Sequence, residues 1–321
     1  MKKYLLPNEG TFFKANLHSH STFSDGQYKP EELKKLYKDK GYSVLSLTDH
    51  NVIVPHNDLS DESFIFITGI EININDDRVW PYYVTYHLNF YSKDKNRDKF
   101  FEFENKYDYK VVNDLIKKAN KENFLVQYNH PRWSYQTASD FVNLEGLWGF
   151  EVYNHGCEID MMDGYGEYEY ETYCRLNVDK LSSFPTVVAT DDNHNYNKGE
   201  HNPRSDSFGG WSMIKAKSLS YENIIEAMEN GYLYASTGPE IKVLYIENNI
   251  VHIETSPCCC IAMLTDSRNT FYQRSNNDDL TFLDIPLFET AKSFRIEVWN
   301  TKKEKAFTKS YKIDNFTKIN S

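Results

Sequence analysis

Residues 12–20 read Phe-Phe-Lys-Ala-Asn-Leu-His-Ser-His, an apolar run followed by two histidines. The run predicts a strand over 12–16. A helix is predicted to begin at Pro30 and to end before Gly41, because proline is favoured in the first helical turn and glycine just past the last one. The next strand is predicted over 44–47. This alternation of strand, helix and strand is typical of parallel sheets and barrels.

The alternation continues through the first two-thirds of the chain. Strands are predicted over 64–70, 82–88, 124–128, 149–153, 186–189 and 210–216, and helices over 109–121, 167–181 and 220–229. After Thr237-Gly238-Pro239 the pattern changes to short alternating runs, which are typical of antiparallel strands. We therefore predict an α/β domain over residues 1–238 and a small β-rich domain over residues 239–321.

The composition narrows the class of protein. The 321 residues are 40% hydrophobic and 15% aromatic, enough to bury a sizeable core. A net charge of -11 disfavours general nucleic-acid binding, which needs clustered cations. The mean hydropathy of -0.66 and the lack of an apolar run near the ~20 residues of a bilayer span argue against a membrane protein.

The N-terminus and the cysteines indicate the compartment. Before Pro7 there is only the two-leucine apolar stretch Leu5-Leu6, too short for the ~7–15-residue core of a signal peptide. The five cysteines, three of them adjacent at 258–260, suggest neither a disulfide framework nor a zinc ribbon. We expect a cytoplasmic protein with reduced, structural thiols.

Metal-ligand side chains follow the predicted strands. Strand carboxyl ends meet at one face of a barrel, so these groups are expected to share one cleft. Side chains two residues apart on a strand point the same way, so His18 and His20 can reach the same ion. The nine side chains in such positions are His18, His20, Asp49, His50, Glu71, His87, His130, Asp192 and His194.

These side chains predict the kind of ion. Imidazole and carboxylate suit Zn, Mn and Fe, and nine such groups exceed what one ion accepts. We therefore expect two or three divalent ions. A glutamate such as Glu71 can bridge two of them and hold them ~3.5–4 Å apart.

At these positions the sequence resembles the polymerase and histidinol phosphatase (PHP) family, most closely its stand-alone hydrolases of the CehA type. The matching motifs are Asn16-Leu17-His18-Ser19-His20, Ser24-Asp25-Gly26, Leu47-Thr48-Asp49-His50-Asn51, Gly69-Ile70-Glu71, His87-Leu88-Asn89, Asn129-His130-Pro131, Glu151-Val152-Tyr153-Asn154, Thr190-Asp191-Asp192-Asn193-His194 and the segment Gly231 to Pro239. The resemblance implies a distorted seven-stranded (β/α) TIM-like barrel with a small C-terminal β domain.

The resemblance also implies three ligand sets. His18, His20, Glu71 and Asp192 resemble the ligands of the first ion, Glu71, His87 and His130 those of the second, and Asp25, His50 and His194 those of the third. Asp191 is the alternative to Asp192 if the strand end is displaced by one residue.

The function predicted from this centre is a metal-dependent hydrolase, specifically a phosphoesterase in which metal-bridged hydroxide attacks a phosphate ester. Asp25, Asp192 and His194 are the candidate catalytic residues, with an Asp or His as proton donor to the leaving oxygen. Arg132, Arg204 and His201 are candidates for binding a small phosphorylated substrate. Two alternatives stay open: an amide or ester hydrolase of the CehA type, and a non-catalytic binding module.

Overall fold

The computed structural model describes residues 2–76, 78, 84–197, 202–288 and 290–317. The strands are β1 Lys3–Tyr4, β2 Thr11–Asn16, β3 Val44–Leu47, β4 Ile65–Asn75, β5 Thr85–Ser92, β6 Phe124–Tyr128, β7 Gly149–Asn154, β8 Thr186–Thr190, β9 Trp211–Ala216, β10 Leu233–Ser236, β11 Ile241–Glu247, β12 Ile250–Cys258, β13 Cys260–Thr265, β14 Phe271–Arg274, β15 Leu280–Pro286, β16 Ser293–Trp299, β17 Lys305–Phe307 and β18 Tyr311–Lys312. The helices are α1 Pro30–Asp39, α2 Tyr109–Lys121, α3 Ala138–Phe141, α4 His155–Met161, α5 Glu167–Leu176, α6 Tyr221–Glu229 and α7 Asp314–Thr317, with a 3-10 turn at Asn57–Leu59.

The first strand and helix form for the reasons that the sequence indicates. Helix α1 begins at Pro30 and buries Leu33 and Tyr37 on one face. Every residue of β3 and of β6 is buried, as expected of strands covered on both faces. Strand β4 runs five residues further than the predicted end at residue 70, because its antiparallel partner β5 supplies hydrogen bonds up to residue 75. The predicted strand 82–88 falls partly outside the described residues.

One large mixed sheet organises the described chain. Its strand order is β14-β13-β16-β17-β10-β9-β2-β3-β4-β5-β6-β7-β8. Strands β2, β3 and β4 are parallel, as are β6, β7 and β8, whereas β5 is antiparallel to both its neighbours. The mixed α/β class is therefore confirmed.

The expected closed seven-stranded barrel is not confirmed, because the strand ladder ends at β8 without pairing back to β2. The segments that follow these two strands nevertheless meet. Ser19 and Asn193 form an isolated parallel bridge, and the Asp192 amide donates to the His18 carbonyl at 2.9 Å. The sheet thus brings the two histidines of the first motif beside the acidic motif that follows β8.

The C-terminal residues form a second layer that stays joined to the large sheet. Strands β1, β11, β12 and β15 make a separate four-stranded sheet, and its apolar face packs on β13 and β16 through Leu244, Ile253 and Ile296. Strand β17 pairs with β10, so the hydrogen-bonded sheet continues past the predicted boundary at residue 239. The division of the chain into domains 1–238 and 239–321 stays a prediction.

Two further expectations concern the cysteines and the membrane. All five cysteines are free thiols, and Cys258 and Cys260 lie on strands of different sheets. No helix among the described residues has both the length and the apolar character that a bilayer crossing requires.

A buried ion-pair network ties strand β16 of the large sheet to helix α5. The Arg295 guanidinium donates to Glu297 at 2.9 Å and to Glu171 of α5 at 3.1 Å. Arg295 and Glu297 are both buried. We predict that Arg295→Ala lowers the free energy of unfolding by about 3–5 kcal/mol, because it leaves the Glu297 carboxylate buried without its cation. Chemical denaturation followed by circular dichroism measures the change.

The matched control is Arg175→Ala, since Arg175 contacts the same Glu171 at 3.7 Å but is 58% exposed. Its loss should cost less than about 1 kcal/mol. Equal destabilisation by both substitutions would contradict a specific role for the buried pair.

Candidate metal centre

The metal centre is assembled from the ends of neighbouring strands. His18 and His20 follow β2, His50 follows β3, and Glu71 lies within β4, where its backbone bridges to His50. His87 lies in β5, His130 follows β6, and Asp192 and His194 follow β8. Asp25 comes from the loop before α1 and is the most exposed of these side chains, at 44%. All nine candidate ligands carried over from the family resemblance therefore lie close together.

The first set joins two histidines to two carboxylates. Asp192 Oδ1 lies 3.1 Å from His18 Nε2 and 3.0 Å from His20 Nε2. Glu71 places Oε1 3.2 Å from His18 Nε2 and Oε2 3.3 Å from His20 Nε2. This is the shared face that the spacing of His18 and His20 predicts.

The second set shares Glu71 with the first. Glu71 Oε1 lies 3.0 Å from His87 Nδ1 and 3.6 Å from His130 Nε2. Its other oxygen, Oε2, lies 3.1 Å from His50 Nδ1. Because both oxygens of Glu71 face imidazole nitrogens, this carboxylate lies at the junction of two ligand groups, as the sequence predicts.

The third set lies nearest to solvent. Asp25 Oδ2 is 3.5 Å from His194 Nε2 and 3.8 Å from His50 Nε2, and Asp25 Oδ1 is 3.8 Å from His20 Nδ1. His20 therefore presents one ring nitrogen to the first set and the other to the third. The sequence did not indicate this double role, because strand parity predicts where a ring points but not which atoms are shared.

Glu151 is a functional residue to which the sequence analysis assigned no role. Its Oε1 accepts from His18 Nδ1 at 3.0 Å and from the Thr190 hydroxyl at 2.6 Å. Its Oε2 accepts from the His130 amide and from Asn154 Nδ2, both at 3.0 Å. These bonds orient the His18 ring so that Nε2 faces the other ligands, the usual task of a carboxylate behind a metal-binding histidine. The alternation of Glu151 with the buried Phe150 and Val152 in β7 was the available signal.

The two adjacent aspartates after β8 have different tasks. Asp191 is buried and accepts from the amides of residues 208–210 at 2.8–3.0 Å and from the Tyr37 hydroxyl at 2.7 Å. It therefore anchors the loop before β9. Asp192 turns the opposite way, toward the histidines, with a backbone φ of +50°. The geometry favours Asp192 over Asp191 as a ligand.

The charges of the centre explain why cations stabilise it. Burial by itself would raise the pKa of Glu71 and Asp192, but His18 and the neighbouring histidines lower both values well below the ordinary range. Burial conversely opposes the charged form of His20, but the hydrogen bond to Asp192 and the neighbouring Glu71 carboxylate raise its pKa to about 10. Both carboxylates are thus ionised, and in the absence of metal, protons on the histidines balance their charge.

The donor atoms fit divalent ions. Several buried atoms of the centre lie near an oppositely charged group but form no hydrogen bond in the described structure, namely His18 Nε2, His20 Nδ1, His50 Nδ1, His130 Nε2 and Glu71 Oε2. An unsatisfied buried polar atom costs about 1–3 kcal/mol, so such a cluster needs a ligand. Within each of the three sets the donor atoms lie within 4.8 Å of one another. Imidazole and carboxylate donors at this spacing suit Zn, Mn or Fe.

The candidate substrate-binding residues are placed differently. The centre opens into a cavity of about 630 Å³, and the exposed Arg204 lines it. The Arg132 guanidinium instead contacts Glu169 of α5 at 3.3 Å and does not line this cavity. His201 lies outside the described residues. The role of each as a substrate ligand stays a prediction.

Comparison with known proteins identifies similar chains. A family model described as the PHP domain matches residues 16–177. No curated protein matches the chain. A two-domain protein from Bacteroides vulgatus that contains a predicted PHP-like metal-dependent phosphoesterase is 19% identical, with 96% of this chain and 98% of that chain covered and a TM-score of 0.47.

Two further solved structures align less fully. A protein from Bifidobacterium adolescentis assigned as a metal-dependent phosphoesterase is 13% identical, with 70% of this chain and 96% of that chain covered and a TM-score of 0.40. An amidohydrolase from Chromobacterium violaceum, with bound sulfate and no metal, is also 13% identical, with 50% of this chain and 82% of that chain covered and a TM-score of 0.34.

His20→Ala tests whether the cluster binds metal. His20 takes part in two of the three sets, so we predict that the purified variant loses at least half of its bound metal, measured by elemental analysis. The circular dichroism spectrum should be unchanged, because other residues build the apolar core.

The matched control is His252→Ala. His252 also contacts a carboxylate, Asp284, but lies in the C-terminal layer far from these sets. Its metal content should equal that of the wild type. Unchanged metal content in His20→Ala would contradict the assignment of the ligands.

Proposed function

This chain belongs to the PHP domain family, and we propose that it is a metal-dependent phosphoesterase. The observation that carries the proposal is the convergence of two ionised carboxylates, Glu71 and Asp192, with buried imidazole nitrogens that have no hydrogen-bond partner in the described structure. A structural cluster of histidines would satisfy these atoms by hydrogen bonds, whereas a metal centre leaves them available. The complete ligand sets also argue against a non-catalytic binding module.

Two or three divalent ions of the Zn, Mn or Fe type would be held by the three sets of residues. When bound, they supply Lewis-acid chemistry, because they acidify water and polarise a phosphoryl oxygen. The residues themselves fix the arrangement. Glu71 and Asp192 supply the negative charge, and Glu151 keeps the His18 ring in a single orientation.

The outer set of residues is suited to proton transfer. Asp25 is 44% exposed and lies 3.5 Å from His194, at the mouth of the cavity where a leaving group must depart. A carboxyl or imidazole group in that position can protonate the leaving oxygen of an ester. Arg204, in the cavity wall, can donate hydrogen bonds to the phosphate oxygens. When two ions occupy the first two sets, Asp25 and His194 stay free of metal and are the proposed acid-base pair, and Arg204 is the proposed phosphate ligand.

A substrate panel tests the reaction class. The protein loaded with Mn or Zn is expected to hydrolyse phosphomonoesters or phosphodiesters, and chelation should abolish the activity. An amide or ester hydrolase would use the same centre, so aryl carboxyl esters and anilides belong in the panel. Protein carrying Asp192→Ala controls for contaminating phosphatases. Turnover confined to carboxyl esters or amides would overturn the proposal.

Arg204→Ala tests the phosphate ligand. We predict that the KM for a phosphate ester rises about tenfold, with a smaller change in kcat, because a charge-assisted hydrogen bond to the substrate is lost. Steady-state kinetics at fixed metal concentration measure both constants.

Arg132→Ala is the comparison, since the Arg132 side chain contacts Glu169 rather than the cavity. Its KM should change less than about twofold, as expected for an exposed ion pair. If Arg132→Ala raised KM as much as Arg204→Ala, the role of phosphate ligand would not be specific to Arg204.

A further inference from the structure

A second cavity lies directly beside the metal cavity. Its volume is about 700 Å³, within the range of small-molecule sites. The two cavities share four wall residues, His50, His87, Trp133 and Asp160. A molecule with one end at the metal ligands can therefore extend into the second cavity.

The walls of the second cavity differ in chemistry from those of the first. Its walls include the apolar side chains of Val84, Trp133, Tyr135 and Met161 and neutral polar groups such as Asn73. No lysine or arginine lines it in the part of the chain that the structure describes. Asp160 is the one carboxylate there, and apart from His50 and His87, which the two cavities share, no described wall residue offers a positive charge to a second phosphate or a carboxylate.

The wall is built from the loop that carries a metal ligand. After His130, the amides of residues 134–136 donate to the carbonyls of residues 130–132, which closes a tight turn. The turn directs Arg132 to Glu169, whereas Trp133 and Tyr135 line the second cavity. Tyr135 has a backbone φ of +56°, which is unfavourable for an aromatic residue, and is still 67% exposed. A strained, exposed aromatic residue in a cavity wall is a sign of function.

Trp133 stands at the border of the two cavities. Its ring centroid lies 5.2 Å from that of His130 and 5.8 Å from that of His87, and its Nε1 donates to Asp160 Oδ2 at 3.2 Å. The indole is therefore held between two metal ligands on one side and α4 on the other. A group that extends from a phosphate at the metal centre into the second cavity would pass this ring.

We propose that the second cavity binds the uncharged, apolar or aromatic organic group of the ester substrate, with Trp133 and Tyr135 as specificity-determining residues. The inference rests on the proposed phosphoesterase function and names the substrate class. Aromatic side chains favour flat apolar groups by stacking and by area buried. The substrate is thus a phosphate ester of an apolar or aromatic alcohol, and not of a sugar or of an alcohol that carries a carboxylate.

Turnover of matched phosphate esters is the first test. Benzyl phosphate, glycerol 3-phosphate and 3-phosphoglycerate are all esters of primary alcohols, so their leaving groups are similar in basicity. The metal-loaded protein should show a KM for benzyl phosphate at least tenfold below those of the other two. Equal KM values, or a preference for 3-phosphoglycerate, would overturn the inference and leave the phosphoesterase proposal intact.

Variants locate the selectivity. Tyr135→Ala should raise the KM for benzyl phosphate about fivefold and leave that for glycerol 3-phosphate within twofold. Trp133→Ala should do the same, and Trp133→Phe should retain most of the selectivity; elemental analysis checks that both variants keep their metal. Tyr272→Ala, which removes an exposed aromatic ring of β14 outside both cavities, is the control. Uniform effects on both substrates would overturn the role of this wall.

Binding of non-hydrolysable analogues separates the two proposals. Calorimetry with benzylphosphonate and ethylphosphonate does not depend on turnover. Benzylphosphonate should bind more tightly than ethylphosphonate, and Tyr135→Ala should abolish the difference. This result would support binding of the apolar group in the second cavity even if the protein cleaved no phosphate ester. In that case only the phosphoesterase proposal would be wrong. Equal binding of the two phosphonates would overturn the cavity assignment whatever the activity.

Discussion

The structure depends on the burial of negative charge. Glu71 is buried and the Asp192 side chain is only 12% exposed, yet histidines hold the pKa of both carboxyl groups well below the ordinary range. Two ionised carboxylates away from water are unfavourable unless cations accompany them. Protons on the surrounding histidines can supply that charge, and divalent ions can supply it more effectively. The arrangement of strands, loops and hydrogen bonds around the site serves this one requirement.

The fold meets the requirement by placing each ligand on a different, well-anchored segment. Strand β4 carries Glu71 into the centre, and the bridge between Ser19 and Asn193 brings the segment after β2 beside the one after β8. Asp191 ties the following loop to the sheet, and Glu151 fixes the His18 ring. Because these supports are themselves buried and hydrogen-bonded, the ligands are positioned before any ion arrives, which favours tight binding.

The sequence predicted the parts of the site that follow from local periodicity. The spacing of His18 and His20 predicted their shared direction, and the order of motifs predicted that distant residues such as Glu71 and Asp192 would meet. The task of Glu151 was not predicted, because its role depends on hydrogen bonds to three other segments. The contact of Arg132 with Glu169 was not predicted either, and nor was the second cavity, because both arise from tertiary packing. Closure of the sheet into a barrel, expected from the family, is not seen in the strand pairing.

Metal binding is best tested by anomalous diffraction from crystals of protein purified without chelators, recorded at the Zn, Mn and Fe absorption edges. We expect two or three anomalous peaks among the imidazoles, with at least one peak about 2.0–2.2 Å from an oxygen of Glu71 and from an oxygen of Asp192. Maps without any such peak, in which waters or direct hydrogen bonds satisfy His18 Nε2 and His130 Nε2 instead, would contradict it.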